Sequence, residues 1–413
     1  MAARTVVILG GGIGGMIAAN ELRAKLPKEH RIVLVERNTD HAFAPSFLWV
    51  MTGDRTPEQV RRPLTALLRS GIEIAHAGAE GLDLQARRVV TTGGAFPFDY
   101  LIIALGAELA PESIPGVAEG AHSFYTLDGA ARLHEALRTF SGGRIAVVVA
   151  AMPYKCPGAP HEGAMLIRDY FQRRGLSEKV EVHLYTPEAQ PMPVAGPELG
   201  KAVLQLLEAK SIQFHPGHKL VAVDPAAKSA QFQQGIAENC DLLVVIPPHR
   251  APRLMHEAGL TNAGGWAPVN PPTLETLHEG VFAIGDVTAI PVPGRWKPDV
   301  PLMLPKAGVF AHVQAGVVAS RIAAQIQGRK PDQTFCGDGY CMLEAGEDLA
   351  GFAYGNFFAQ PSPDVKLRQI GKAWHVGKVV LEKWWLSPPG WKRDLYGFAL
   401  KAGSRAYGIP VAV

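Results

Sequence analysis

An α/β chain made of two Rossmann-like units and a separate C-terminal region is what three features of the sequence predict. A short apolar strand, Thr5 to Leu9, runs into Gly10-Gly11-Gly12-Ile13-Gly14-Gly15 and then into a helical stretch, Met16 to Leu26. A second buried-strand run, Arg144 to Ala150, leads through a Pro- and Gly-rich loop into another helix. Far downstream, Val281 to Ile284 is a strand that ends in Gly285-Asp286. Composition agrees with this reading. At about 150 residues per domain, 413 residues allow roughly three domains, and 47% hydrophobic against 19% charged residues supplies a large core. A net charge of +3 exerts no global pull on nucleic acid, and none is expected as a partner. No uninterrupted apolar run approaches the roughly 18 residues that span a bilayer, so any membrane contact is expected to be peripheral.

The first glycine turn has the context that a lone G-x-G-x-x-G lacks. It follows a strand, opens a helix, and precedes a second strand, Arg31 to Val35, that ends in Glu36. Gly10 permits the tight turn, Gly12 lets backbone approach a pyrophosphate, Gly15 lets the helix pack closely, and Glu36 accepts from a ribose hydroxyl. Beyond a loop over 41–56 the sequence predicts a helix near Glu58 to Ser70 and short strands around residues 72–74 and 89–90. A buried strand then runs from Asp99 to a small-residue turn at Gly106, which suits backbone passing close to a cofactor. The second unit departs from this pattern. Its turn, Ala150 to Pro160, holds no G-x-G-x-x-G, and its side chains and prolines obstruct a pyrophosphate. A nicotinamide donor is therefore not expected. In its place Cys156 stands just before a helix predicted over Glu162 to Arg174, and a helix N-terminus lowers a thiol pKa, which suits a reactive thiolate. Glu162 reads equally as a proton acceptor for that site and as a charge offsetting the helix dipole. Lys306 precedes a long helix predicted over 307–327, and Cys240, before an apolar run, reads as a buried small hydrophobe. The histidines show no spacing with cysteines that would hold a metal, and no metal is predicted.

Lys155-Cys156-Pro157-Gly158-Ala159-Pro160-His161-Glu162 resembles the first redox-cysteine loop of the sulfide:quinone oxidoreductases and their flavocytochrome c relatives. Gly339 to Gly346, Gly371 to His375 and Leu381 to Trp385 are similar to that family's second-cysteine segment and its aromatic, basic tail. The resemblance implies two dinucleotide-binding folds of the FAD/NAD(P) type. Residues 1–112 and 266–330 would form a split FAD-binding domain, 113–265 a second Rossmann-like domain, and 331–413 a C-terminal region with membrane-surface helices. It implies FAD contacts at Gly10, Gly12, Gly15, Glu36, Ala79, Gly106, Gly285 and Asp286, with Lys306 facing the flavin. The flavin would be noncovalent, since neither Ala44–Ser46 nor Ser123–Asp128 contains a cysteine for a thioether link. Cys156 and Cys341 would be the redox pair, with Cys336 the rival for the second place, and Glu162 would complete the catalytic set. Hydrosulfide would open the cysteine bridge by exchange, two electrons would pass into FAD, and polysulfide or sulfur would leave.

The acceptor is read from the tail. Between Lys366 and Arg405 there are nine Lys or Arg against two acids, and four of the seven tryptophans. Cations interleaved with bulky aromatics suit helices lying in the headgroup plane. That predicts a monotopic, peripheral membrane protein whose acceptor is quinone, held between Phe357 or Phe358 and Trp385. The competing reading is that these tryptophans close the core of a C-terminal subdomain. Two other activities stay in view: a sulfide dehydrogenase flavoprotein donating to a cytochrome c and, further behind, an NADH:quinone oxidoreductase. A homo-oligomer is left open.

Overall fold

A computed structural model describes residues 2–411. In the first unit, β1 (Thr5–Leu9) is followed by α1 (Ile13–Lys25), β2 (Arg31–Val35), β3 (Glu73–Ala75) and β4 (Tyr100–Ile103). The second unit contributes β5 (Gly143–Val149), α2 (Ala159–Arg173), β6 (Val180–Tyr185), β7 (Ile212–His215) and β8 (Leu242–Ile246). The chain then returns, and β9 (Val281–Ala283) joins the first sheet, whose order is β9-β4-β1-β2-β3, all parallel. The second sheet is parallel in the order β7-β6-β5-β8. Central strands of such sheets are covered on both faces, which explains why Val6 to Leu9 and Ile145 to Val149 are apolar without alternation and fully buried.

Helix α3 (Gly308–Ile326) packs along α1 beneath the first sheet. Among the described residues it is the one helix long and apolar enough to cross a bilayer, and most of it is buried inside the fold as a core helix. The predicted helix over 58–70 shrinks to a single turn, Leu64–Leu67, because Arg61–Pro63 pairs with Asp40–Ala42 as a short strand. Pro63 has no N–H and its ring opposes a preceding helical turn, so a helix cannot run through it.

The C-terminal region is an antiparallel sheet, β10 (Asp338–Gly346), β11 (Leu349–Asn356) and β12 (Asp364–Gly371), followed by α4 (Lys372–Trp385) and α5 (Trp391–Tyr407). Helix α4 packs on β11, and β10 packs on α2. Of the four tail tryptophans, Trp374, Trp384 and Trp385 are buried on α4, so for these three the core-closing reading is the one the packing follows. Helix α5 differs: Trp391, Leu395 and Phe398 are 71%, 56% and 69% exposed. Their spacing of four and three residues puts them on one face. Helix α4 is tied to the first unit by polar bonds across most of the chain. Ser46 Oγ donates to Glu382 Oε1 at 2.7 Å, Arg55 donates to Glu382 Oε2 at 3.1 Å, and Trp385 Nε1 donates to His41 Nε2 at 2.9 Å.

Candidate active site

The first glycine turn folds as a cradle. Gly10 has φ 97°, and a Cβ there would lie 2.5 Å from the carbonyl oxygen of Ala104. Gly15 is tighter, since its Cβ would stand 1.8 Å from the carbonyl oxygen of Gly10. Glycine is required at both. Gly12 caps α1 and, like Gly106, has open space where a Cβ would be, which leaves the helix N-terminus accessible to a pyrophosphate. Glu36 is pinned beside the turn: its Oε2 accepts from the Gly11 amide at 2.7 Å and its Oε1 from both amides of Asn38. Lone pairs remain for a ribose hydroxyl. Ala79 opens a short strand paired with Thr91 in a small antiparallel sheet. At the end of β9, the Gly285 amide donates to Gln314 Oε1 of α3 at 2.7 Å. Asp286 Oδ1 is buried without a partner, and burial pushes its carboxyl up against the opposing pull of Lys155 and Lys306. An orphan acceptor beside an open helix N-terminus is what a flavin dinucleotide's sugar alcohol and phosphates would complete, so the residues present fit FAD.

Lys306, expected to face the flavin, is held at the Gly-Asp turn that ends β9. Its ammonium donates to the backbone oxygens of Asp286 and Thr288 at 2.7 and 3.0 Å and lies 3.4 Å from the centre of the Trp266 ring. Burial brings its pKa down to about 8. A buried cation takes the nearest carbonyls, and here these are the ones that shape the Gly-Asp turn, so Lys306 braces that turn.

In the second unit Cys156 adopts φ 56°, a left-handed conformation that costs energy for a residue with a Cβ and persists only where the surroundings enforce it. The enforcing bonds are visible. Its amide donates to the Lys306 carbonyl at 2.6 Å, its carbonyl accepts from Ala159 at 2.9 Å, and Tyr125 Oη donates to the Lys155 carbonyl at 3.0 Å. Strand β10 crosses the start of α2. A Cβ on Gly158 would lie 2.9 Å from Leu343 Cδ1 and 3.6 Å from both Cys341 Sγ and Glu162 Oε2. The structure thus brings Cys341, the Cys156 loop and Glu162 to one point. It also covers with protein the helix start that a second nucleotide's phosphates would need. Cys336 is exposed and its sulfur lies 3.7 Å from the Thr334 hydroxyl and carbonyl oxygens, whereas Cys240 is buried in the second unit.

The expected low thiol pKa is reversed. Burial, followed by the charge of Glu162, pushes Cys156 up to about 12, with Lys378 pulling the other way. Burial, Glu162 and Cys156 raise Cys341 as well, again opposed by Lys378. Desolvation exceeds the helix-dipole effect here. As free thiols the pair is held protonated, so in this environment the electron-rich partner must come from outside or be created by opening a bridge.

Behind the cysteines lies a chain of buried charges that the motif reading did not single out. Lys378 Nζ donates to Glu162 Oε1 at 2.8 Å and stands 3.8 Å from Glu344 Oε1. Glu344 donates its backbone amide to Glu162 Oε1 at 2.9 Å, and its Oε2 lies 2.9 Å from His375 Nδ1. Burial works against the Lys378 charge, but Glu162 and Glu344 outweigh it and hold its pKa above the ordinary value. The hydrogen bond to Glu344 raises His375, despite burial. A signal existed: Trp374, Lys378 and Glu382 recur every four residues on the buried face of α4, so charges share the stripe normally left to apolar side chains.

Of the three aromatics expected around a quinone, Phe357 and Phe358 share one ring cluster, joined through the Phe310–Phe335 contact at 6.3 Å, and Trp385 packs in another. Trp385 packs against Phe43, His312 and Trp384, with ring centroids 5.8, 5.5 and 5.5 Å away. Phe357 meets Phe310 at 5.2 Å and Phe358 meets Phe335 at 5.4 Å. The Trp385 indole also fixes a tautomer. An indole only donates, so His41 accepts at Nε2 and donates from Nδ1 to the Gly11 carbonyl, 3.1 Å away. Through His41, α4 thus reaches the first glycine turn.

The family model described as pyridine nucleotide-disulphide oxidoreductase matches residues 4–317. The chain is 28% identical over 398 residues to the sulfide-quinone reductase of Aquifex aeolicus (strain VF5), covering 93% of this chain and 90% of that one. It is 24% identical over 369 residues to the mitochondrial sulfide:quinone oxidoreductase of Mus musculus, covering 86% and 79%. The solved structure of the sulfide:quinone oxidoreductase from the hyperthermophilic bacterium Aquifex aeolicus superposes with a TM-score of 0.83 at 25% identity, covering 97% of this chain and 92% of that one.

Proposed function

The chain belongs to the pyridine nucleotide-disulphide oxidoreductase family, and from that premise we propose that it oxidises sulfide with FAD and passes two electrons to a membrane quinone. The observation that carries the reading is the convergence of Cys341 and Glu162 on Gly158 of the Cys156 loop, at the helix start where a nicotinamide dinucleotide would otherwise bind. Its similarity along nearly the whole chain to sulfide:quinone oxidoreductases supports the same assignment.

Bound FAD supplies a two-electron acceptor next to the sulfur site and a donor to quinone. The chain's own residues do the rest. Hydrosulfide is already an anion near neutral pH and needs no enzymic base to become a nucleophile. It attacks a bridge joining Cys156 and Cys341 at Cys156, giving a persulfide there and a thiolate on Cys341. The Lys378 ammonium offsets the charge of that thiolate. Glu162 keeps Oε1 on Lys378 and turns Oε2 toward the sulfurs, placed to take the persulfide proton. Gly10, Gly12, Gly15, Glu36, Ala79, Gly106, Gly285 and Asp286 hold the dinucleotide, and Lys306 supports Asp286. The exposed face of α5, Trp391, Leu395 and Phe398, sits on the membrane surface as a monotopic anchor and favours a lipid-soluble acceptor over a cytochrome c. Phe357, Phe358 and Trp385 remain the aromatic candidates near the acceptor, with Trp385 also acting as a brace.

An anaerobic flavin spectrum tests the proposal. Sulfide is expected to bleach the flavin, NADH to leave it oxidised, and a quinone analogue to restore the colour. Cys156→Ser should keep FAD and lose sulfide-driven bleaching; full activity in that variant, or bleaching by NADH, would overturn the assignment.

A further inference from the structure

Each sulfide oxidised leaves a proton among buried side chains. Once hydrosulfide has opened the bridge, Cys156 carries S–SH and Cys341 carries S⁻. Closing the bridge around the added sulfur removes two electrons, which go to the flavin, and one proton: Cys156–S–SH plus Cys341–S⁻ gives the trisulfide Cys156–S–S–S–Cys341, two electrons and H⁺. Atoms and charge balance only if that proton has somewhere to go. Glu162 takes it at Oε2, but the side chain is only 3% exposed, so the carboxyl cannot pass it straight to water.

We propose that Lys378, Glu344 and His375 form a relay that carries this proton from Glu162 to the surface between β10 and α4. The inference rests on the sulfide-oxidation reading of the cysteine pair. Its support is a continuous path. Glu162 on α2 bonds Lys378 on α4 at 2.8 Å, Lys378 faces Glu344 on β10 at 3.8 Å, and Glu344 bonds His375 Nδ1 at 2.9 Å. His375 Nε2 then faces Asp348, 3.7 Å away in the turn that leaves β10. Side-chain exposure rises along the last steps, from 1% at Glu344 to 20% at His375 and 79% at Asp348. The oxygen of Glu344 that faces Lys378, Oε1, is buried and has no hydrogen-bond partner. A purely structural ion pair would close that gap, whereas a relay needs an acceptor that is free to receive.

The first two hops are concerted. Lys378 gives a proton to Glu344 Oε1 as it receives one from Glu162, so the ammonium is never left neutral. The Glu344 carboxyl then turns about its Cγ–Cδ bond and gives that proton to Nδ1 of a neutral His375, which releases from Nε2 toward Asp348 and water. The groups facing His375 are Lys378 on its own helix, Glu344 and Asp348 on the β10 side, and the Trp49 ring, 5.7 Å away on the first unit. The carboxylates hold His375 protonated to a higher pH than usual, so the neutral, accepting form grows as pH rises through that point. The relay should speed up in the same direction.

The test uses the FAD-loaded enzyme and its His375→Gln variant, whose amide can still bond Glu344 but cannot pass a proton. Bleaching by sulfide is followed by stopped flow in lightly buffered solution with a pH-indicator dye. The relay predicts that H375Q bleaches about tenfold to a hundredfold more slowly, that its proton release slows in step, that the rising limb of the wild-type pH profile is lost, and that added imidazole restores the rate. Glu344→Gln should behave likewise, which guards against a fault peculiar to one variant. An H375Q rate equal to wild type at every pH, or a loss that imidazole does not restore, overturns the relay while leaving sulfide oxidation intact. Absence of bleaching in the wild type overturns the sulfide reading and the relay with it.

Discussion

At Cys156 and Cys341 the balance of forces runs opposite to what a helix start alone suggests. The dipole of α2 favours a thiolate, but burial and the neighbouring carboxylate of Glu162 win and raise both thiols. This has two measurable consequences. Both folded values lie above the roughly 8.5 of an unfolded thiol, so above that pH the folded reduced protein binds more protons than the unfolded chain. Stability contributed by the pair is complete below about 8.5 and falls as pH climbs toward the folded values. Glu162→Gln removes a charge that raises both thiols and frees Lys378 to act on them. In the dithiol-reduced protein it should make alkylation at pH 8 severalfold faster and flatten the alkaline loss of stability. Mass-mapped iodoacetamide labelling and melting curves against pH check both. The sequence named Cys156 and Glu162 because cysteine, proline and glycine punctuate a loop locally, whereas Cys341 came from the resemblance of its segment to a family pattern, with Cys336 as its rival. It left the sign of the pKa shift unread because that depends on how much protein closes over the loop, and the covering strand comes from almost two hundred residues away.

Among the elements, the two C-terminal helices divide a task that composition had assigned to them jointly. Helix α4 buries three tryptophans together with Lys378 and Glu382, while α5 keeps Trp391, Leu395 and Phe398 outside. Counting cations and aromatics cannot separate these cases, since the same residue types serve a core and an interface; only the partner surface decides. The strands of the first sheet and β5 were legible because short apolar runs are a local signal, β6 and β7 went unnamed, and the helix over 58–70 failed at Pro63 for an equally local reason. Each fully buried large apolar side chain is worth roughly 1.5–3 kcal/mol on leaving water. Trp391→Glu with Phe398→Glu should therefore abolish co-sedimentation with anionic vesicles, with little change in melting temperature. Sulfide-driven bleaching and turnover with a water-soluble quinone analogue should persist. Loss of folding in this double variant would show that the face packs against protein instead.

For the whole molecule, the site is assembled from three parts of the chain held by a few long-range polar bonds. The glycine cradle belongs to the first unit, Cys156 and Glu162 to the second, and Cys341 with the buried charges to the C-terminal region. The bonds of Glu382 to Ser46 and Arg55 and of Trp385 to His41 keep the last of these against the first. Trp385→Phe retains an aromatic ring but leaves buried His41 Nε2 without a donor, at a cost of about 1–3 kcal/mol. If bracing is the main task of Trp385, the variant should purify with less FAD, unfold at lower urea, and show an unchanged KM for the quinone analogue in the fraction that keeps its flavin. A raised KM with full FAD content would instead favour a direct contact with the acceptor. The Trp385–His41–Gly11 connection also sets an order of events during synthesis. Because the indole lies 344 residues beyond the histidine it latches, the dinucleotide's seat stays unlocked until the ribosome has translated past residue 385, and a nascent chain stalled before that point would bind the yellow cofactor weakly and release it fast.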